Sequence, residues 1–145
     1  MSKISGAFRT GTGSDTLPAA SLYAIAGVRL LLREVHVYNT TATSVVVALR
    51  RLTTAGTQGA GQTELEWDDD GPAPNGTLFT THSGGPTITT GEIARAFLGA
   101  AIGAGVIWVF DDEPLRIPPG TANGIGITIP TGTGQVLDCT WVWEE

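Results

Sequence analysis

Between residues 30 and 38, Val35 and Val37 fall on one side of the chain and Glu34, His36 and Tyr38 on the other. That two-residue period is the mark of a strand with one buried face. Residues 39–43 break the pattern, and it returns over 44–52 with Val45, Val47 and Leu49 in phase. Two β-branched runs around a short polar break predict an antiparallel hairpin. Toward the C-terminus, Ile125, Ile127 and Ile129 alternate with Gly124, Gly126 and Thr128. After a turn at 130–134, Leu137, Cys139, Trp141 and Trp143 alternate with Val136, Asp138, Thr140, Val142 and Glu144, which predicts a last strand central to the core.

Shorter runs at 77–81, 87–90, 93–98, 106–110 and 115–117, each bounded by Gly, Pro or Asp, predict further strands, with a turn of glycines joining two core strands across 96–110. Residues 63–67 alternate as well, with Leu65 and Trp67 facing one way, whereas 53–62 and 68–76 read as loops. No interior stretch holds apolar residues at helical spacing; residues 17–32 come closest and leave room for a helical turn at 18–26. Eight or more short strands with polar turns predict an all-β fold, an antiparallel β-sandwich with jelly-roll-like connections, in a single domain over 21–145. Residues 1–20 predict an extended N-terminal arm: Ile4 and Phe8 stand isolated among Ser, Gly and Thr, and ordering each residue costs about 1–2 kcal/mol of backbone entropy.

Composition narrows the function classes. A chain of 145 residues buries roughly 70% of its unfolded surface in one core. Charged residues make up only 15%, so Thr, Ser and Gly carry the polarity, as in an ordered β-rich protein. The net charge of −6 repels phosphate backbones, which argues against direct nucleic-acid binding. A single cysteine, Cys139, cannot form an internal disulfide, and the first residues lack a secretory pattern; both point to synthesis in a reducing cytoplasm. The apolar stretch 96–110 is too short to span a bilayer, so no membrane partner is expected. Asn39-Thr40-Thr41 and Asn75-Gly76-Thr77 match the glycosylation sequon but read better as turn chemistry.

Candidate chemistry is sparse. No grouping of His, Cys, Asp, Glu or Ser has catalytic or metal-ligand spacing, so no catalytic residue, metal or cofactor is expected and the chain reads as non-enzymatic. Asp68-Asp69-Asp70-Gly71 is the densest anionic cluster, but its carboxylates do not alternate as in a calcium loop; a rim that meets a basic partner, or a weak cation loop, is its reading. Asp111-Asp112-Glu113 is treated alike. His36 and His82 stand apart and are expected at the surface or a partner contact, while Cys139, in phase with Trp141 and Trp143, reads as a small core residue. Trp67, Trp108, Trp141 and Trp143 suit either a core or a sugar-stacking platform, with the core favoured.

The segments Arg33-Glu34-Val35-His36-Val37-Tyr38-Asn39-Thr40-Thr41, Leu52-Thr53-Thr54-Ala55-Gly56-Thr57, Ala100-Ala101-Ile102-Gly103-Ala104-Gly105-Val106-Ile107-Trp108 and Gly120-Thr121-Ala122-Asn123-Gly124-Ile125-Gly126 resemble small structural proteins of tailed bacteriophages. The resemblance runs from Arg29 onward and rests on strand and turn phrases. It implies a virion component: a capsid decoration or cement protein on the outer shell, made in the host cytoplasm, that clamps major capsid subunits as a homo-oligomer, a trimer by preference. The alternative it leaves is a tail or fibre component with a receptor- or glycan-binding role. On the decoration reading the arm supplies the capsid contacts, with Ile4, Phe8 and Arg9 as the expected residues.

Overall fold

The computed structural model describes residues 1–145. In chain order the strands are β1 (Lys3–Arg9), β2 (Ala20–Tyr23), β3 (Leu30–Asn39), β4 (Val45–Leu52), β5 (Leu65–Glu66), β6 (Thr77–Phe79), β7 (Ala94–Leu98), β8 (Gly105–Val109), β9 (Leu115–Ile117), β10 (Gly124–Thr128) and β11 (Leu137–Glu144). There is no helix, and the protein is an all-β antiparallel sandwich. One sheet runs β5-β1-β11-β3-β8, with β9 also paired to β3; the other runs β6-β2-β10-β4-β7. Their inner faces share one apolar core in which Ile4, Trp141 and Trp143 meet Leu22, Leu49 and Ile127.

The alternation over 30–38 and 44–52 does produce two strands, but they are not a hairpin. β3 pairs with β11, β8 and β9, while β4 pairs with β10 and β7 in the opposite sheet. A period of two shows which face is buried and is silent about the partner, and both strands bury their valines against the same core from opposite sides. The crossing is built at Asn39, whose Oδ1 accepts the Thr41 backbone N–H at 3.1 Å and whose Nδ2 donates to the Thr43 carbonyl at 2.6 Å. Thr40 Oγ1 donates to the Val136 carbonyl at 2.6 Å and ties this turn to the entry of β11. The first sequon is therefore turn chemistry, with Asn39 itself buried.

Residues 1–20 are not an arm. Residues 3–9 form a full strand, with Lys3 opposite Glu144 and Arg9 opposite Asp138 on β11, and Ile4 and Ser5 opposite Glu66 and Leu65 on β5. Ile4 is fully buried and Phe8 packs on the core. The segment holds few apolar residues because only alternate positions face inward, and Gly6 is one of them. A Cβ at Gly6 would run into the Leu78 side chain and the Thr63 carbonyl, so the missing side chain is what lets β1 lie this close to β6. Apolar burial by two side chains is joined by a ladder to β11, and together these hold the strand.

The helical turn considered for 18–26 is also replaced by a strand. All four residues of β2 are buried: Leu22 faces the core, while Ser21 and Tyr23 face outward under the 53–62 and 80–87 segments. Burial on both faces erases the alternation that marks a strand, which leaves a short apolar run indistinguishable from a helical one. The covering segments are tied to each other by Thr57 N–H to the Gly84 carbonyl and Thr53 N–H to the Thr87 carbonyl, and to β2 through Tyr23 Oη donating to the Thr54 carbonyl. Gly126 faces the same way, and a Cβ there would crowd Leu52 and Pro18, at 2.9 and 3.1 Å, closer than van der Waals contact allows.

The stretch 96–110 gives two edge strands in different sheets, and only half of each faces the core. On β7, Leu98 is buried and Phe97 is exposed; on β8, Val106 and Trp108 pack inward while Ile107 and Val109 face solvent. The strand expected at 87–90 is reduced to a single bridge between Ile88 and Leu52.

Candidate functional site

The outer face of the first sheet carries four of the seven exposed large apolar side chains, Leu65, Trp67, Ile107 and Val109. Across its middle run Ser5, Val142, Glu34 and Val109, and beside them Ala7, Thr140, His36 and Ile107, in register on β1, β11, β3 and β8. Its centre carries the small side chains of Ser5, Ala7 and Thr140 beside the paired Glu34 and His36, and its flanks are apolar. On one flank β5 exposes Leu65, followed by Trp67; on the other, β8 exposes Ile107 and Val109. Trp67 is pinned in place: its Nε1 donates to Ser5 Oγ at 3.0 Å, and Lys3 Nζ stands 4.1 Å from the ring centroid. The alternation expected over 63–67 is present, and the face that Leu65 and Trp67 share is the exposed one, Leu65 at 61%.

The residues expected to contact a capsid do not share a surface. Ile4 is in the core and cannot reach a partner, and Phe8 is turned toward the core. Arg9 alone of the three is exposed, where its Nε donates to Asp138 Oδ1 at 2.8 Å. That ion pair raises the Arg9 pKa and holds the Asp138 carboxyl below the usual carboxylate range, in each case chiefly through the hydrogen bond between them.

Asp68, Asp69 and Asp70 are exposed at the tip that follows Trp67, where the Gly71 N–H donates to the Asp68 carbonyl and the Asp70 N–H to Asp68 Oδ1. None of the three is in an ion pair, and no group of three His, Cys, Asp or Glu side chains converges anywhere in the molecule. The tryptophans do not form a platform: Trp141 and Trp143 are fully buried, Trp108 packs on the core, and Trp67 is exposed on the opposite flank.

His82 is buried rather than at the surface, a correction that brings it against Ser21. Ser21 Oγ and His82 Nε2 are 2.8 Å apart, and both residues lie beneath the outer 53–62 and 80–87 layer. A serine and histidine at this distance have the spacing of a nucleophile and its base. Here Nδ1 has no hydrogen-bond partner to orient the ring and no opening reaches the pair, so the contact works as a fastening of the outer layer onto β2. Nothing near His82 in the sequence announced this, because Ser21 is 61 positions away. His36 is half-buried, with Nε2 2.8 Å from Glu34 Oε2 on the same outer face. Burial raises the Cys139 thiol pKa to about 12, which fits a core residue and not a nucleophile.

Burial also lowers the His82 pKa from 6.5. The unfolded chain then takes up a proton before the folded one does, so this contribution to stability is complete above pH 6.5 and is lost as pH falls through the depressed folded value. The melting temperature is expected to drop across that window, and His82→Gln is expected to flatten the drop. An unchanged pH slope in the variant would assign the effect elsewhere.

No protein-family model, curated protein or solved structure matches the chain. No helix is long and apolar enough to cross a membrane.

Proposed function

We propose that this chain is a virion structural protein that works by binding without chemistry, as a decoration or cement protein on the outer surface of a bacteriophage capsid. The observation that carries the reading is the placement of exposed apolar side chains. Leu65 and Trp67 on one flank, and Phe97, Ile102, Ile107 and Val109 on the other, stand on edge strands and their turns around a closed core. Large apolar residues held out on a rigid frame are surface for a partner.

Two further features support it. The strand orders β1-β11-β3-β8 and β2-β10-β4-β7, with the chain changing sheets at every step along this path except β4 to β7, support a jelly-roll reading of the sandwich, an architecture that viral capsid proteins use. The acidic charge fits the outside of a shell rather than its DNA-lined interior. The segments resembling phage structural proteins, among them 33–41 and 100–108, make the β3 and β8 strands and the turns beside them.

On this reading each copy spans a seam between major capsid subunits, with its flanks in place of an arm as the contacts. Binding only the assembled shell stabilises that shell by mass action. The test is sedimentation of purified protein with expanded, DNA-free shells built from the major capsid protein encoded nearest this gene. Saturable binding that raises the shell's melting temperature is the expected result; no binding to expanded shells, or equal binding to unassembled capsid protein, would contradict it.

A further inference from the structure

The basic residues of this acidic chain are used unevenly. Arg9, Arg33, Arg50 and Arg95 each pair with a carboxylate, and Lys3 lies against Trp67. Arg29, Arg51 and Arg116 have no carboxylate within 4.0 Å, and these three gather along one edge of the sandwich. Arg116 sits on β9 opposite Leu31, and Arg51 Nη1 donates to the Arg116 carbonyl at 2.8 Å. A concavity of about 300 Å³ lies between Arg29, Leu31, Pro114 and Arg116, and a second of about 310 Å³ between Arg116, Leu115, Phe110 and Arg51. Sharing Arg116, the two make one groove with an apolar floor and guanidinium groups along its rim.

Two carboxylates border that groove. Glu145 is engaged elsewhere, accepting from the Asn75 and Gly76 N–H groups and from Trp143 Nε1, and Glu113 is exposed and in no ion pair. The guanidinium fork matches a carboxylate with two parallel hydrogen bonds, so the ligand class is an exposed segment that carries several carboxylates.

Such a segment stands on the opposite edge of the same sheet. Asp68, Asp69 and Asp70 are exposed and unpaired. The Trp67 N–H donates to the Lys3 carbonyl, which sets this loop at the end of the sheet where Lys3, Glu144, Leu31 and Arg116 lie in register. From β5 through β1, β11 and β3 to β9 there are four strand-to-strand steps, about 19 Å in all. Loop and groove are too far apart to satisfy each other within one molecule, yet they lie at one level on opposite sides, as a side-by-side contact between copies requires.

We propose that the Asp68–Asp70 loop of one copy docks in the Arg29, Arg51 and Arg116 groove of a second copy, a head-to-tail contact that links successive copies into a larger assembly. It stands on the charge and geometry of this chain alone, whether or not the protein coats a shell. The full chain at low ionic strength is expected to sediment as an oligomer that dissociates as salt is raised, because the contact is electrostatic.

Arg116→Glu and Asp69→Lys, both at exposed positions, are each expected to weaken self-association about a hundredfold or more, since like charges across an interface are strongly unfavourable. Circular dichroism shows whether each variant keeps its fold. Combining the two reversals in one chain is expected to restore assembly, because the charges again oppose. A wild-type monomer at low salt, an oligomer indifferent to either reversal, or a folded double variant that stays monomeric would each overturn the proposal.

Discussion

Deleting residues 1–12 is expected to abolish the cooperative fold. β1 lies between β5 and β11, and its removal strips the ladder from one whole side of the strand that carries Trp141 and Trp143. It also takes Ile4 and Phe8 from the core and leaves β5 without a partner. Each lost group is buried or paired, so the deletion combines a large cavity with exposed strand edges. The expected readout is a near-UV circular dichroism spectrum without fine structure and no cooperative thermal transition. Ile4→Ala, a milder probe of the same strand, is expected to cost about 2–5 kcal/mol in urea. A truncated protein with the melting temperature of the full chain would mean that β1 is an arm after all.

Trp141→Ala is expected to be the most damaging single substitution, at about 3–5 kcal/mol. Trp141 is fully exposed to the core and not at all to solvent, on the middle strand of the larger sheet, flanked across the ladder by Gly6 on β1 and Val35 on β3. No neighbouring strand can move inward to refill such a space without breaking register with both partners. Its Nε1 has no hydrogen-bond partner, so Trp141→Phe forfeits no hydrogen bond and is expected to cost only a fraction of the alanine change. Equilibrium urea unfolding of the two variants measures the difference. Equal losses for Phe and Ala would show that something other than filled volume makes the site sensitive.

The same two regions mark how far the fold was legible in the chain. The β11 run carries four large or apolar residues in strict alternation, and its strand character and central place follow directly from that pattern. Antiparallel pairing across a sandwich is different. β3 and β4 announce their buried faces clearly, but a polar break of a few residues serves a hairpin and a crossing between sheets equally well. What decides it is Asn39, whose side chain holds the turn that carries the chain over.

β1 and β2 fail for opposite reasons: β1 has too few apolar residues to declare itself, because Gly6 takes an inward position, and β2 is buried on both faces and shows no period. The candidate site was less legible still. Exposure of Leu65, Trp67, Phe97 and Ile107 follows from their strands lying at sheet edges, which depends on strand order. The clustering of Arg29, Arg51 and Arg116, and the burial of His82 on Ser21, likewise arise from contacts between residues far apart in the chain.

Under the proposed function the protein is a rigid block that meets the shell with preformed flanks and not with a tail that orders on contact. Hydrogen exchange on the free protein and on the protein bound to expanded shells tests this most directly. The predicted result is that amides of residues 3–9 exchange as slowly as those of β11 before any shell is added, and that binding newly protects segments on the flanks around β5, β7 and β8. Rapid exchange of residues 3–9 in the free protein, with protection there gained only on the shell, would contradict it.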